Sequence, residues 1–175
     1  MKKVVALFCS LILMTGCSLN LKNDNTKVED KTFDSYNVKF KITANSNWKA
    51  TSQGELNENA DIEIADDDNQ KYLISIMESK EDLDWDYKQY SNYILKQNAE
   101  IYETTIEEVK TTKINDYDID YVELKSSPNG VNIYMRIYVI ETNNYYGQIL
   151  IWTKYSQRDD VKEEFDKIVS SFIEK

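Results

Sequence analysis

Histidine is absent from the 175 residues, and cysteine occurs only at Cys9 and Cys17. Without imidazole, a Ser-His-Asp triad and a histidine metal site are excluded by composition. Both thiols lie ahead of the first patterned segment, which begins at Tyr36. The folded part therefore holds no cysteine nucleophile, thiolate zinc site, redox pair or disulfide. Glycine is scarce too, with 4 residues and no glycine-rich phosphate loop among them. Tight zinc or nucleotide binding is not expected, and no cofactor is implied. Basic residues are outnumbered, 21 Lys and Arg against 31 Asp and Glu, for a formal charge of −10. Such a chain is repelled by phosphates, so no nucleic-acid partner is expected.

At the N-terminus, Lys2 and Lys3 precede a run from Val4 to Met14 that is apolar apart from Ser10. The run is too short to span a bilayer as a helix. Leu11-Ile12-Leu13-Met14-Thr15-Gly16-Cys17 then sets one cysteine directly behind small residues. This resembles the lipobox of bacterial lipoproteins. The resemblance implies cleavage of a signal peptide at residues 1–16 and a diacylglyceryl anchor on Cys17. Loss of Lys2 and Lys3, with no acid in the leader, takes the charge from −10 to −12. Residues 17–35 read as the lipidated cysteine and a flexible tether, polar and without apolar periodicity. A tether of this length reaches roughly 25 Å. The implied place is the extracytoplasmic face of the cell membrane, with an envelope protein as the permitted partner.

From Tyr36 the pattern turns to period two: Val38, Phe40 and Ile42 alternate with Asn37, Lys39 and Lys41. Asn45-Ser46-Asn47 reads as a turn leading to Trp48, and Asp61 to Ala65 as a strand. Asp66 to Gln70 forms the loop before a densely apolar strand, Lys71 to Glu78. Asp82 or Asp84 is the expected cap of a helix whose stripe is Leu83, Tyr87, Tyr90, Ile94 and Gln97. Thr105 to Thr112 and Tyr117 to Lys125 read as strands joined at Asn115-Asp116. Ser127-Pro128-Asn129-Gly130 is a hairpin signal, followed by strands from Val131 to Glu141 and Tyr146 to Thr153. Ser156 and Asp159 suggest a capping box for a last helix with Val161, Phe165, Ile168 and Phe172 on one face. The expected fold class is α+β, an antiparallel β-sheet flanked by two main helices. The expected core gathers Phe40, Ile42, Trp48, Ile76, Ile149, Phe165 and Phe172.

Several of these anchors carry a second resemblance. Phe40-x-Ile42, Trp48, the Tyr72–Glu78 strand before an acidic helix start, and Tyr145-Tyr146-Gly147-x-Ile149 are four of them. Phe165-x-x-Ile168-Val169-x-Ser171-Phe172 completes the set. Together they resemble PsbP-like domains over about residues 36–174, with residues 36–175 as the domain. The sequence departs from that pattern before the tryptophan, where Asn45-Ser46-Asn47 replaces a Pro-x-Gly. The resemblance implies an α/β/α sandwich acting as a non-catalytic binding or scaffold module.

Other constellations carry less chemistry. Asp116, Asp118 and Asp120 begin as an EF-hand loop does, but Tyr121 and Ser127 stand where glycine and glutamate are required. A solvated strand face is the simpler reading. Asp66-Asp67-Asp68-Asn69 reads as turn chemistry, with loose Ca²⁺ binding as the alternative. No metal site is expected. With 31 acids, some carboxylate pair always lies within general acid–base distance, which leaves an envelope hydrolase as an alternative function. A carrier of a small apolar ligand is another. The tyrosines read first as rings filling the core and its half-buried margins, with a contact surface around Tyr134, Tyr138, Tyr145 and Tyr146 on the last hairpin as the alternative.

Cys17→Ala is expected to release the protein from membranes and to abolish incorporation of labelled fatty acid. Fractionation and labelling of the variant check this; retention with labelling intact would refute the anchor.

Overall fold

The computed structural model of the chain describes residues 29–175. Cys17, the leader and residues 17–28 of the tether lie outside the described residues. In chain order the strands are β1 (Asp30–Asp34), β2 (Phe40–Asn45), β3 (Lys49–Ala50), β4 (Ile62–Asp66) and β5 (Lys71–Ser79). Helix α1 (Tyr87–Ile101) follows, then β6 (Lys110–Ile114), β7 (Tyr117–Ser126), β8 (Ile133–Glu141) and β9 (Tyr145–Lys154). Helix α2 (Arg158–Ser170) and β10 (Ile173–Glu174) close the chain. Every ladder is antiparallel. One sheet has seven strands in the order β3-β4-β5-β9-β8-β7-β6; the other has three, β1-β2-β10.

The large sheet is covered on both sides. Alternation along β8 sends Tyr134, Tyr138 and Ile140 to one core and Ile133, Met135, Ile137 and Val139 to the other. The first core is closed by Val161, Phe165, Ile168 and Val169 of α2 and by Phe40, Ile42 and Ala44 of the small sheet. The second is closed by Tyr90, Ile94 and Leu95 of α1. The result is the expected α+β sandwich, with the small sheet sharing a face with α2.

Local chemistry explains the joints. Asn129 and Gly130 take positive φ (52° and 79°) at the turn between β7 and β8, as the Asn-Gly signal requires. Gly147 admits close approach: a Cβ there would collide with the Met77 thioether and press on Ile140. Helix α2 is pinned by Glu164. Its carboxylate accepts from Trp48 Nε1 (2.9 Å) and Asn45 Nδ2 (2.8 Å) and pairs with Lys71 Nζ (2.5 Å). The Asn45-Ser46-Asn47 turn thus has its own partner on α2.

Several sequence expectations need correction. Strand pairing is already present before Tyr36, because Asp30–Asp34 pairs with β2 from Asp30↔Asn45 to Asp34↔Lys41. Helix α1 is capped by neither Asp82 nor Asp84. Asp86 accepts from Gln89 N, and the Gln89 side chain returns a bond from the Asp86 amide, a complete capping box. Ser156 makes no such box, since the residue capping α2 is Gln157 and its side chain is engaged with Thr153 Oγ1. The strand expected over Thr105–Thr112 is Lys110–Ile114. All seven expected core residues are buried, but Ile76 belongs to the α1 core while the other six share the α2 core. A β-strand buries successive residues on opposite faces, and both faces are closed here.

Phe165 is fully buried between Tyr134 and the small sheet. Phe165→Ala should cost about 3–5 kcal/mol in chemical denaturation, as large-to-small core changes do; a loss under about 1 kcal/mol would mean α2 is not packed this way.

Candidate functional site

Strand β8 presents Tyr134, Arg136 and Tyr138 in succession on the face beneath α2. Arg136 is 5% exposed although charged. Its Nη2 and Nε donate to Glu123 Oε1 on β7 at 2.7 and 3.0 Å. Its Nη1 donates to Asp166 Oδ1 (2.6 Å), Tyr138 OH (3.2 Å) and the Lys162 carbonyl (3.3 Å) on the α2 side. Nε also donates to Tyr134 OH (2.7 Å). Each tyrosine passes a bond onward, Tyr134 to Glu123 (2.9 Å) and Tyr138 to Asp166 (3.3 Å). The Tyr121 ring stacks on Tyr138 at 5.4 Å and lies 6.0 Å from the guanidinium. Burial pushes both tyrosine hydroxyls well above their ordinary range. Burial acts the same way on Glu123, but the bonds from Arg136 and Tyr134 outweigh it and hold that carboxyl below its ordinary value.

The four tyrosines read as a contact surface do not form one. Tyr134 and Tyr138 are each 2% exposed beneath α2. Tyr146 lies on the opposite face, stacked on Tyr90 at 5.0 Å, with its hydroxyl donating to the Trp85 carbonyl. Tyr145 is half-buried against the α2 core. The two helices cover rings that a lone hairpin would leave open. What the sequence reading missed is Arg136. The alternation that put Tyr134 and Tyr138 on one face puts Arg136 between them.

One acid of each acidic cluster is engaged in the fold. The Asp120 carboxylate accepts from Ser91 Oγ on α1 (2.8 Å) and Thr111 Oγ1 on β6 (2.9 Å). Tyr87 OH accepts from the Asp120 amide and donates to the Val139 carbonyl, both at 2.9 Å, which bridges β7 to β8. Asp120 is therefore a docking point for α1 rather than part of a solvated face. Asp66 accepts from Asn69 N and Nδ2, the turn chemistry expected. Glu63, 1% exposed, accepts from the amides of Gly54, Leu56 (2.6 Å) and Asn57 (3.1 Å) and so folds residues 51–60 over β4. Among the described residues, no three acidic side chains are grouped so as to hold a metal ion, and no helix is long and apolar enough to cross a membrane. A cleft of about 450 Å³ opens where the end of α1 meets the β7–β8 turn, lined by Ile101, Tyr102, Glu103 and residues 125–129. None of the four tyrosines reaches it.

The geometry compares with solved structures by shape alone. Cyanobacterial PsbP (CyanoP) from Synechocystis sp. PCC 6803 aligns over 90% of this chain and 99% of its own, with 11% identity and a TM-score of 0.60. The Ran-binding protein Mog1p of Saccharomyces cerevisiae aligns over 84% and 96%, with 12% identity and a TM-score of 0.59. LpqN of Mycobacterium tuberculosis, described as involved in cell envelope biogenesis, aligns over 85% and 91%, with 8% identity and a TM-score of 0.51. The fold is PsbP-like, as the sequence anchors implied. No protein-family model matches the chain, and no curated protein matches it significantly by sequence.

A buried acid, Asp61, and a half-buried one, Glu78, give the fold a pH signature. Burial raises the Glu78 carboxyl above its ordinary 4.5, partly offset by the Tyr90 hydroxyl bond (2.9 Å). Burial raises Asp61 above 3.8 in the same way, against bonds from the Met77 amide and Asn37. A carboxyl with a raised folded pKa holds its proton more tightly folded than unfolded. Its contribution is therefore greatest in acid and falls as pH rises through the ordinary value toward the folded one. Glu123, held low, contributes with the opposite sign. Glu78→Gln, which keeps an acceptor for Tyr90, should stabilise the fold at neutral pH and flatten the decline above about pH 4.5. Urea denaturation across that range checks it; a variant less stable at neutral pH would refute it.

Proposed function

We propose that this protein is a membrane-anchored, extracytoplasmic lipoprotein whose PsbP-like domain works as a non-catalytic binding or scaffold module. The observation that carries the reading is the fold, shared across most of their length with a Ran-binding protein and an envelope-biogenesis protein. The Thr15-Gly16-Cys17 junction supports the anchor. The reading is also supported by what the acids do. Glu63, Asp66, Asp120, Glu123 and Glu164 are committed to amides, hydroxyls, an indole N–H, a lysine or an arginine, so each works as a fastening. The partner class is an envelope protein, met at a distance from the bilayer set by the tether.

Calorimetry of the full chain with Zn²⁺, Ca²⁺ and ATP separately is expected to show no sub-micromolar binding, since no segment converges the required ligands. Protease added to intact cells should degrade the domain while a cytoplasmic marker survives. Tight binding of any of the three, or a protected domain, would overturn the reading.

A further inference from the structure

The seven-stranded sheet ends at β3, two residues long, and at β6. Among the described residues no strand lies on the outer side of β6. The chain before β6 already follows the same edge: Thr104 Oγ1 donates to the Lys125 carbonyl (3.0 Å), and Lys110 stands opposite Tyr121. The open edge is thus Lys110–Ile114, and residues 104–109 lead into it without ladder bonds of their own. Glu107, Glu108, Val109, Thr111, Thr112 and Lys113 along this stretch are exposed. Val109, at 48%, is the most exposed large hydrophobic side chain among the described residues.

The order of charges on this edge is specific: two acids, a valine, then lysines. An antiparallel neighbour of the same sequence reverses that order. Centred on Lys110, such pairing sets Glu107 of each copy opposite Lys113 of the other and Val109 opposite Thr111, with facing residues on the same side of the sheet. The two Lys110 side chains at the centre are already turned onto the Tyr121 ring (5.7 Å) and Glu123 (3.9 Å). Lysines on an edge discourage arbitrary strand addition. A second copy of this segment is a strand whose charge order is complementary to it, Glu107 facing Lys113 at both ends.

We propose that β6 and the residues leading into it, Thr104–Ile114, form a self-recognising edge through which two copies of this chain pair antiparallel into one continuous sheet. The inference rests on the edge alone and not on the lipid anchor. Sedimentation velocity of the full chain in detergent, over a range of protein concentrations, tests it. The wild type is expected to show a concentration-dependent monomer–dimer equilibrium. Glu107→Lys and Lys113→Glu should each weaken it by about tenfold, because two facing pairs reverse at once. An equimolar mixture of the two variants should restore wild-type association, since both facing pairs are complementary again. Circular dichroism confirms folding, and Val109→Lys substitutes for any charge variant that fails to fold. A wild type that stays monomeric overturns the proposal. So does association that the edge variants leave unchanged, which would place the contact on another face or on the detergent-embedded segment.

Discussion

Strands β8 and β9 have no solvent face. From Ile133 to Ile140, and from Tyr146 to Thr153, every side chain is covered. A strand in that position must supply two cores at once, and the sheet then needs a cover on each side. Helix α1 is one cover; α2 with the small sheet is the other. A charged group in these strands must find its partner inside, since burying an unpaired charge is costly. Arg136 satisfies the rule by drawing Glu123 from β7 and Asp166 from α2 around one guanidinium. The network therefore fixes where α2 lies across the sheet, besides meeting its own charge.

The opposite face solves the same problem with hydroxyls. Tyr87, Ser91 and Asp120 dock α1 on β7, and Tyr90 closes on Glu78 of β5. Tyrosine suits both roles, because its ring fills the core while its hydroxyl reaches a carboxylate or a carbonyl. The tyrosine richness that suggested a contact surface is thus mostly interior architecture.

Much of the fold was legible because the patterns were strong. Val161, Phe165 and Ile168 repeat at helical spacing, although Phe172, expected on the same helix, lies past its end at Ser170; Asn129-Gly130 allows little except a turn. The start of α1 was legible in principle: of Asp82, Asp84 and Asp86, only Asp86 has a glutamine three residues on. Strand β1 was not, because DKTFD carries one apolar side chain and lies exposed at a sheet edge. The candidate site failed for a different reason. Period two locates a face but cannot say whether a distant helix covers it. A charged Arg136 between tyrosines, or Glu63 between isoleucines, reads as a solvent position until residues from elsewhere in the chain close over it.

The small sheet has a mechanical meaning. Strand β1 is the first described strand, and its ladder to β2 starts at Asp30↔Asn45. Lys167 and Lys175 hold Asp30 and Asp34 from the C-terminal part of the chain. A pull on the polypeptide ahead of Asp30 loads this exposed ladder and its ion pairs before it reaches either core. Under such a load β1 is the element that yields first, a fuse ahead of the doubly covered sheet behind it.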